Sequence, residues 1–359
     1  MISVIIPTFN KASLLMEAIE SVLSQTFQDF EIIIIDDGST DGTGEIVEKI
    51  GDPRIVYHFQ NNEGVNRARN KGIEISKGDH LAFLDHDDIW LPFKLELQMA
   101  CLDKHPEVDF VFSNFNALFD ETKKIIPSYI KKQYSVFSQN KLDFQQIFSF
   151  REDIRTISKR FAHIEGSFFW GNMLPTILLG NYALNPSRLI RKRAMEKIGG
   201  FSEKFPITDD YEAIIRMSKN GMGGYIDIPT LDYRIRKNSL SHSSENSIRK
   251  WKESIEIVES ALRDNEEIYK KHKVRYDKNL ASFHFEIATL YDIDKKRNEA
   301  IEHWNTSIKF NPLNIKAYSG LLLGGLLPIY ASLKDLIKSL VKGAENRRLE
   351  TGNNSGVIK

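Results

Sequence analysis

The chain has 359 residues, 41% of them hydrophobic, with 49 Lys+Arg set against 49 Asp+Glu and a single cysteine, Cys101. That is enough apolar material for a sizeable core, and the balanced charge gives no reason to expect nucleic acid as a partner. One thiol excludes an internal disulfide framework, and no run of about 18 or more apolar residues suggests a membrane span.

The opening MISVIIPTFN goes directly into a strand pattern and lacks a basic segment followed by a signal-type apolar stretch. A cytoplasmic chain is therefore expected. Ser3–Pro7 reads as a short apolar strand with Thr8-Phe9-Asn10 as the turn after it. From Ala12 a helix pattern follows, with Leu15, Ala18, Ile19 and Val22 on one face. Glu31–Ile35 is a second buried strand, ending in a carboxylate-rich turn from Asp36 to Gly42. Gly44–Ile50 reads as helix and Arg54–Phe59 as a third strand. After the turn Asn61–Gly64, the residues Val65, Ala68, Gly72 and Ile75 share a helix face.

The apolar run His80–Leu84 suits a strand buried on both faces, and it runs into Asp85, His86, Asp87 and Asp88. Carboxylates crowded there stay ionised cheaply only with a cation or cationic partner between them. In an extended segment Asp85 and Asp87 project to one side, so both can meet one hard divalent ion. A helix from Pro92 to about His105 and a strand Val108–Phe112 follow. Strands alternating with helices at this spacing predict an α/β fold with a mostly parallel, doubly wound sheet. No GxGxxG follows the first strand, so a nucleotide here would be held through a metal more than by a glycine-rich loop.

Asp120–Gly180 is rich in aromatic and basic residues without a steady period. It is either an irregular insertion packing its aromatics inward or a wall for a bulky substrate. Tyr182–Ile190 returns to strand character. Arg191-Lys192-Arg193 starts a helix that stops at Gly199-Gly200-Phe201, and another begins at Asp209-Asp210-Tyr211-Glu212, where acidic residues suit a helix start. Tyr225–Ile228 and Leu231–Ile235 read as two short strands broken by Pro229. The remainder is helical. Ala281–Pro312, with Ile287, Ala288, Tyr291, Ala300 and Trp304, has the register of one tetratricopeptide-like unit. Leu321–Ala331 carries no charge, and Ile329–Val341 sets Leu333, Leu336, Ile337 and Leu340 against Lys334, Lys338 and Lys342. That stripe either packs on the helices before it or lies along a membrane surface. Glu345–Lys359 reads as a disordered tail.

Together these pieces resemble family 2 of the glycosyltransferases, which have a GT-A fold and use nucleotide-sugar donors. The resemblance runs from Ser3 to about Ser241. It rests on Val4–Asn10, Ile35–Asp41, Asn62-Glu63-Gly64 with Ala68-Arg69-Asn70, Phe83–Asp88, and Gly199-Gly200-Phe201 followed by Asp209-Asp210-Tyr211. It implies a glycosyltransferase domain over residues 1–241, with a nucleotide-binding half (1–118) and an acceptor half (119–241). A helical region (242–343) and the tail (344–359) would follow. The donor-binding residues it implies are Pro7, Thr8, Phe9, Asp37, Gly64, Arg69, Asp85, His86, Asp87 and Arg234, with Asp37 accepting from the base. Mg²⁺ or Mn²⁺ would be held by Asp87, with Asp85, Asp88 and His242 as further ligands. Asp210 would be the general base of an inverting transfer, with Asp209 beside it in place of the family's usual Glu. His86 departs from the small residue common between the two aspartates. The implied acceptor is a glycan or lipid-linked saccharide of surface-polysaccharide synthesis, made at the inner face of the membrane with peripheral contact; the oligomeric state stays open. The rival readings are a haloacid-dehalogenase-like phosphatase using Asp85 and Asp87, and a non-catalytic helical scaffold.

Overall fold

The computed structural model describes residues 1–236 and 243–323. The chain forms two compact units: Met1–His242 with Glu256–Arg275, and Ser243–Ile255 with the helices from Tyr276 onward.

The first unit is built on one mixed sheet. Its strands are β1 (Ile2–Thr8), β2 (Phe30–Asp36), β3 (Ile55–Phe59), β4 (His80–Phe83), β5 (Ile89–Trp90), β6 (Val108–Phe119), β7 (Lys124–Ile126), β8 (Phe150–Asp153), β9 (Ser167–Gly171), β10 (Leu189–Arg191) and β11 (Met222–Ile235). They lie in the order β3-β2-β1-β4-β10-β6-β11-β9-β8, with β5 on β11 and β7 on β6. The β3-β2-β1-β4 half is parallel throughout. Every residue of β1 and β2 is buried, as the unbroken apolar runs require for strands covered on both faces. β10 then joins β4 to β6 antiparallel to both, and β11 runs parallel to β6.

The helices that bear on the site are α1 (Ala12–Leu23), α2 (Thr43–Glu48), α3 (Val65–Ile75), α4 (Lys94–Lys104), α5 (Lys192–Lys197) and α6 (Asp209–Asn220). α3 lies close on β1 because Gly72 has no side chain: a Cβ there would sit 2.4 Å from Ile5 Cγ2. The contact brings Asn66, Ala68 and Arg69 into the interior.

Three sequence expectations change. The stretch Tyr182–Ile190 is not one strand: Asn185–Ser187 forms a 3-10 turn, and only Leu189–Arg191 pairs. The two strands expected around Pro229 are one, because the register slips between Ile226 and Pro229 and again between Pro229 and Asp232, so the proline sits where no ladder bond is needed. The aromatic stretch 120–180 contributes β7, β8 and β9 at the margin of the sheet. It packs Phe137, Phe144, Phe148, Phe161, Phe168 and Phe169 inward, leaving Phe150 exposed.

The second unit is helical, drawing on α7 (Ser244–Arg263), α8 (Glu266–Ile293), α9 (Arg297–Phe310) and α10 (Ile315–Leu323). Ala288, Ala300, Trp304 and Ala317 form its small core. Most of the uncharged stretch from Leu321, the lysine-bearing stripe and the tail lie outside the described residues. Among the described residues, no helix is long and apolar enough to cross a membrane.

Candidate active site

The site collects at the carboxyl ends of the parallel strands, where open α/β sheets place their ligands. The turns after β1 and β2 are tied together. The Asn10 amide donates to Ser39 Oγ (2.9 Å), the Thr40 amide to Asn10 Oδ1 (2.8 Å), and the Ala12 amide to Asp41 (3.1 Å). Asp36 accepts from the Ser39 amide and from the Tyr57 hydroxyl. Gly38 turns with φ +91°, and a Cβ there would meet the Asn62 amide at 3.0 Å, so the loop before α3 rests directly on this turn. Thr8 Oγ1 is buried here without a hydrogen-bond partner, whereas Phe9 is exposed.

Asp37 is buried and accepts from Gln60 Nε2 (2.8 Å), the Glu63 amide (2.9 Å) and the Gly64 amide (2.8 Å). Its carboxylate therefore organises the Gln60–Gly64 loop, with one lone pair remaining for a ligand. His86 Nδ1 lies 3.3 Å from the Pro7 carbonyl, joining the first turn to the acidic one.

The three carboxylates after β4 have separate protein partners. Asp85 accepts from Arg69 (2.9 Å), Asp87 pairs with Arg236, and Asp88 turns inward. Asp88 Oδ1 takes the Arg234 amide (2.9 Å) and Oδ2 is buried without a partner. Burial, with Asp87 and Asp85 adding to it, pushes the Asp88 carboxyl well above the usual carboxylate range. The expectation that Asp88 ligates a metal with its neighbours is thus corrected: it is a buried strut under β11. Among the described residues, no three His, Cys, Asp or Glu are grouped to hold an ion, and His242 lies outside them. Arg234 is also corrected. Its guanidinium is spent on Glu17 (2.6 Å) and Asp120 (3.1 Å) and its Nε on the Asp87 carbonyl (2.8 Å), so it braces the acidic turn instead of awaiting a diphosphate.

Arg69 joins the two acidic elements. It is buried, reaches Asp85 on one side and Asp209 on the other at 2.5 Å, and lies over the Phe201 ring. Burial opposes its charge, but Asp209 and Asp85 outweigh that and hold it protonated. Neighbouring α3 residues fix the loop that carries Asp209: Asn70 donates to the Phe201 carbonyl and accepts from its amide, and Asn66 donates to the Ser202 carbonyl. The two motif pieces Ala68-Arg69-Asn70 and Gly199-Gly200-Phe201 are therefore physically clasped.

Asp209 and Asp210 open α6 but face different surroundings. Asp209 is buried, and burial pushes its carboxyl up to about 6, with Arg69 opposing. The unfolded chain releases that proton near 3.8 while the native one holds it to about 6. Stability from this group should therefore fall as pH rises through that window and stay level above it. Urea titrations from pH 4 to 7 should show the slope in the native sequence and lose it in Asp209→Asn. Asp210 is partly exposed. Its Oδ2 accepts from Asn181 (2.9 Å), Arg188 stands 3.7 Å away, and Oδ1 has no donor among the described residues. Arg188 is fully buried and also donates to the Ala183 and Asp210 carbonyls. Asn181, Arg188, Arg236 and Glu17 were missed in the sequence; none sits in a motif or a period that would have marked it.

Residues 3–171 match the family described as Glycosyl transferase family 2. An uncharacterized glycosyltransferase of Rickettsia typhi is 32% identical over 212 residues, covering 59% of this chain and 57% of that protein. The UDP-Glc:alpha-D-GlcNAc-diphosphoundecaprenol beta-1,3-glucosyltransferase WfaP of Escherichia coli is 41% identical over 117 residues, covering 32% of this chain and 46% of its own. The chain thus spans about half the length of these relatives. The mannosyltransferase PcManGT of Pyrobaculum calidifontis, solved with GDP-Man and Mn²⁺, shares the fold with a TM-score of 0.53 at 17% identity, over 93% of this chain and 82% of that one. Asp209, Asp210 and the residues that hold Asp210 lie beyond the matched segment. The segment that matches glycosyl transferase family 2, residues 3–171, carries the donor-side turns, Arg69 and the acidic turn after β4.

Proposed function

We propose that the chain is an inverting glycosyltransferase that moves a sugar from a nucleoside-diphosphate sugar to an acceptor hydroxyl in surface-polysaccharide synthesis. The observation that carries this reading is the Asp85–Arg69–Asp209 bridge, which ties the donor-side acidic turn to an acidic helix start and leaves Asp210 Oδ1 open beside it. The turns at Pro7, Thr8, Phe9, Asp37 and Gly64 would take the nucleotide, with His86 keeping the first turn against the acidic one. Asp210 would accept the acceptor's proton as the new bond forms, and Asp209 would hold α6 in place through Arg69.

Asp85 and Asp87 are partly exposed, and each keeps one oxygen outside its ion pair, a hard-oxygen donor set that fits Mg²⁺ or Mn²⁺. Such an ion would neutralise charge on the departing nucleoside diphosphate. WfaP's name specifies a lipid-linked acceptor and PcManGT was solved with Mn²⁺. The first is in keeping with a lipid-linked acceptor and the second with a metal-assisted transfer. The phosphatase reading is not favoured, because Asp85 follows the fourth strand and is already paired with Arg69.

A thermal-shift series with UDP-, GDP-, CMP- and dTDP-sugars, with and without Mn²⁺, tests this. One nucleotide class should stabilise the chain by roughly 2.7 kcal/mol at a hundredfold excess over Kd, and more with metal. No stabilisation by any class overturns the reading; equal stabilisation without Mn²⁺ removes only the metal.

A further inference from the structure

The sheet end around Asp210 has a feature that neither the acidic network nor the donor turns use. Tyr134, from the motif-free stretch between β7 and β8, and Tyr233, from β11, are half-buried. Both rings pack edge-on against the fully buried Phe115 of β6, at centroid separations of 6.3 Å and 5.7 Å. Tyr129 packs edge-on against the same Phe115 ring, at 6.5 Å, whereas four other tyrosines bond through their hydroxyls: Tyr57 to Asp36, Tyr182 with Thr176, Tyr211 to the Ile177 carbonyl and Tyr225 to Asp227. The hydroxyls of Tyr134 and Tyr233 bond to no described residue, yet neither is among the buried atoms left without a partner. Both side chains thus keep part of their surface accessible, with a hydroxyl available to a ligand, the arrangement that suits an amphipathic contact.

The two rings also stand next to the chemistry. Tyr134 lies within the field of Asp210 and Asp88, and Tyr233 within that of Asp88, Asp85, Asp87 and Asp210. Burial first, and these charges after it, raise both phenols above their ordinary range, so each stays a hydrogen-bond donor at neutral pH. A saccharide fits both halves of such a surface. The axial C–H groups of a pyranose ring present an apolar face to an aromatic ring, and its hydroxyl oxygens accept from the phenols. An acyclic polyol offers the oxygens without a fixed apolar face.

We infer that Tyr134 and Tyr233 form the platform on which the acceptor sugar lies as its hydroxyl meets Asp210, and that the sugar it takes is a pyranoside. The inference rests on the glycosyltransferase reading above. The test is saturation-transfer difference NMR on the full chain with saturating UDP, using methyl β-D-glucopyranoside, methyl N-acetyl-β-D-glucosaminide and ribitol as probes. Ring protons of at least one pyranoside should receive saturation and ribitol should not. Tyr134→Leu and Tyr233→Leu should each reduce the transfer at least fivefold at an unchanged melting temperature. Tyr233→Phe should keep the ring contact and weaken apparent affinity by about 2–10-fold, the effect of one hydrogen bond. Saturation of ribitol equal to that of the pyranosides, no transfer to either pyranoside, or full transfer in both folded leucine variants overturns the platform. Absence of binding by any nucleotide in the thermal-shift series would instead remove the functional reading beneath it. If a leucine variant does not fold, Tyr233→Phe and the ribitol comparison still decide.

Discussion

Asp210→Asn should lower turnover of the donor by about 10²-fold or more, the usual size of a general-base contribution, while leaving nucleotide-sugar affinity close to that of the native chain. The amide keeps the volume of the carboxylate, and its oxygen can still accept from Asn181, so the start of α6 keeps its geometry. What it loses is the basic oxygen proposed to take the acceptor's proton. Release of the nucleoside diphosphate, followed with the acceptor or with water as the sugar's destination, measures the loss. Asp209→Asn should do less, since Asp209 already points into its bridge with Arg69. If Asp209→Asn proves the more damaging, the base has been misassigned.

Arg69→Met should be the most destabilising single change in the site. Asp209 and Asp85 would lose the cation between them, and Asp209 would be left buried with no compensating charge. Removing one partner of a buried ion pair leaves a penalty of about 3–5 kcal/mol. Denaturation in urea at pH 7 should show a loss of that order. Lowering the pH should restore part of it, because protonation of the orphaned Asp209 removes the unpaired charge. The double variant Arg69→Met with Asp209→Leu should recover most of the rest. A loss under about 1 kcal/mol in the single variant would mean that the bridge contributes little.

The sequence made the donor-side half legible because its signals are local. The apolar runs of β1, β2 and β4 each end in their own turn, and Asp36-Asp37-Gly38 and Asp85–Asp88 stand out against the strands that precede them. The family resemblance was legible for the same reason. What the sequence did not reveal is who pairs with whom. Asp85 and Asp87 alternate along one side, and each also takes an arginine of its own, Arg69 from α3 and Arg236 from the end of β11. Arg234 looks like a phosphate ligand until Glu17 and Asp120 are seen to fill its guanidinium. Arg188 belongs to a stretch, Tyr182–Ile190, that reads as a strand but contains a 3-10 turn just before it, and Asn181 stands ahead of that stretch, so the groups that hold Asp210 had no periodic signature. These pairings join residues far apart in the chain, and side-chain periodicity carries no record of them.

The three-residue strand β10 has a consequence for how the molecule is made. β4 pairs with β1 on one side, and among the described residues its other edge is paired with Ile190 and Arg191, while Leu189 and Ile190 carry the link onward to β6. On the ribosome the parallel half can assemble once β4 has emerged, but Leu81, Ala82 and Phe83 then sit on an uncapped edge. At roughly 5–20 residues per second, the hundred or so residues between Phe83 and Leu189 keep that edge open for about 5–20 s. An exposed apolar edge is a template for pairing with another chain. Nascent copies on neighbouring ribosomes are thus at their most adhesive during that interval, and slowing synthesis after β4 should lower the yield of folded protein.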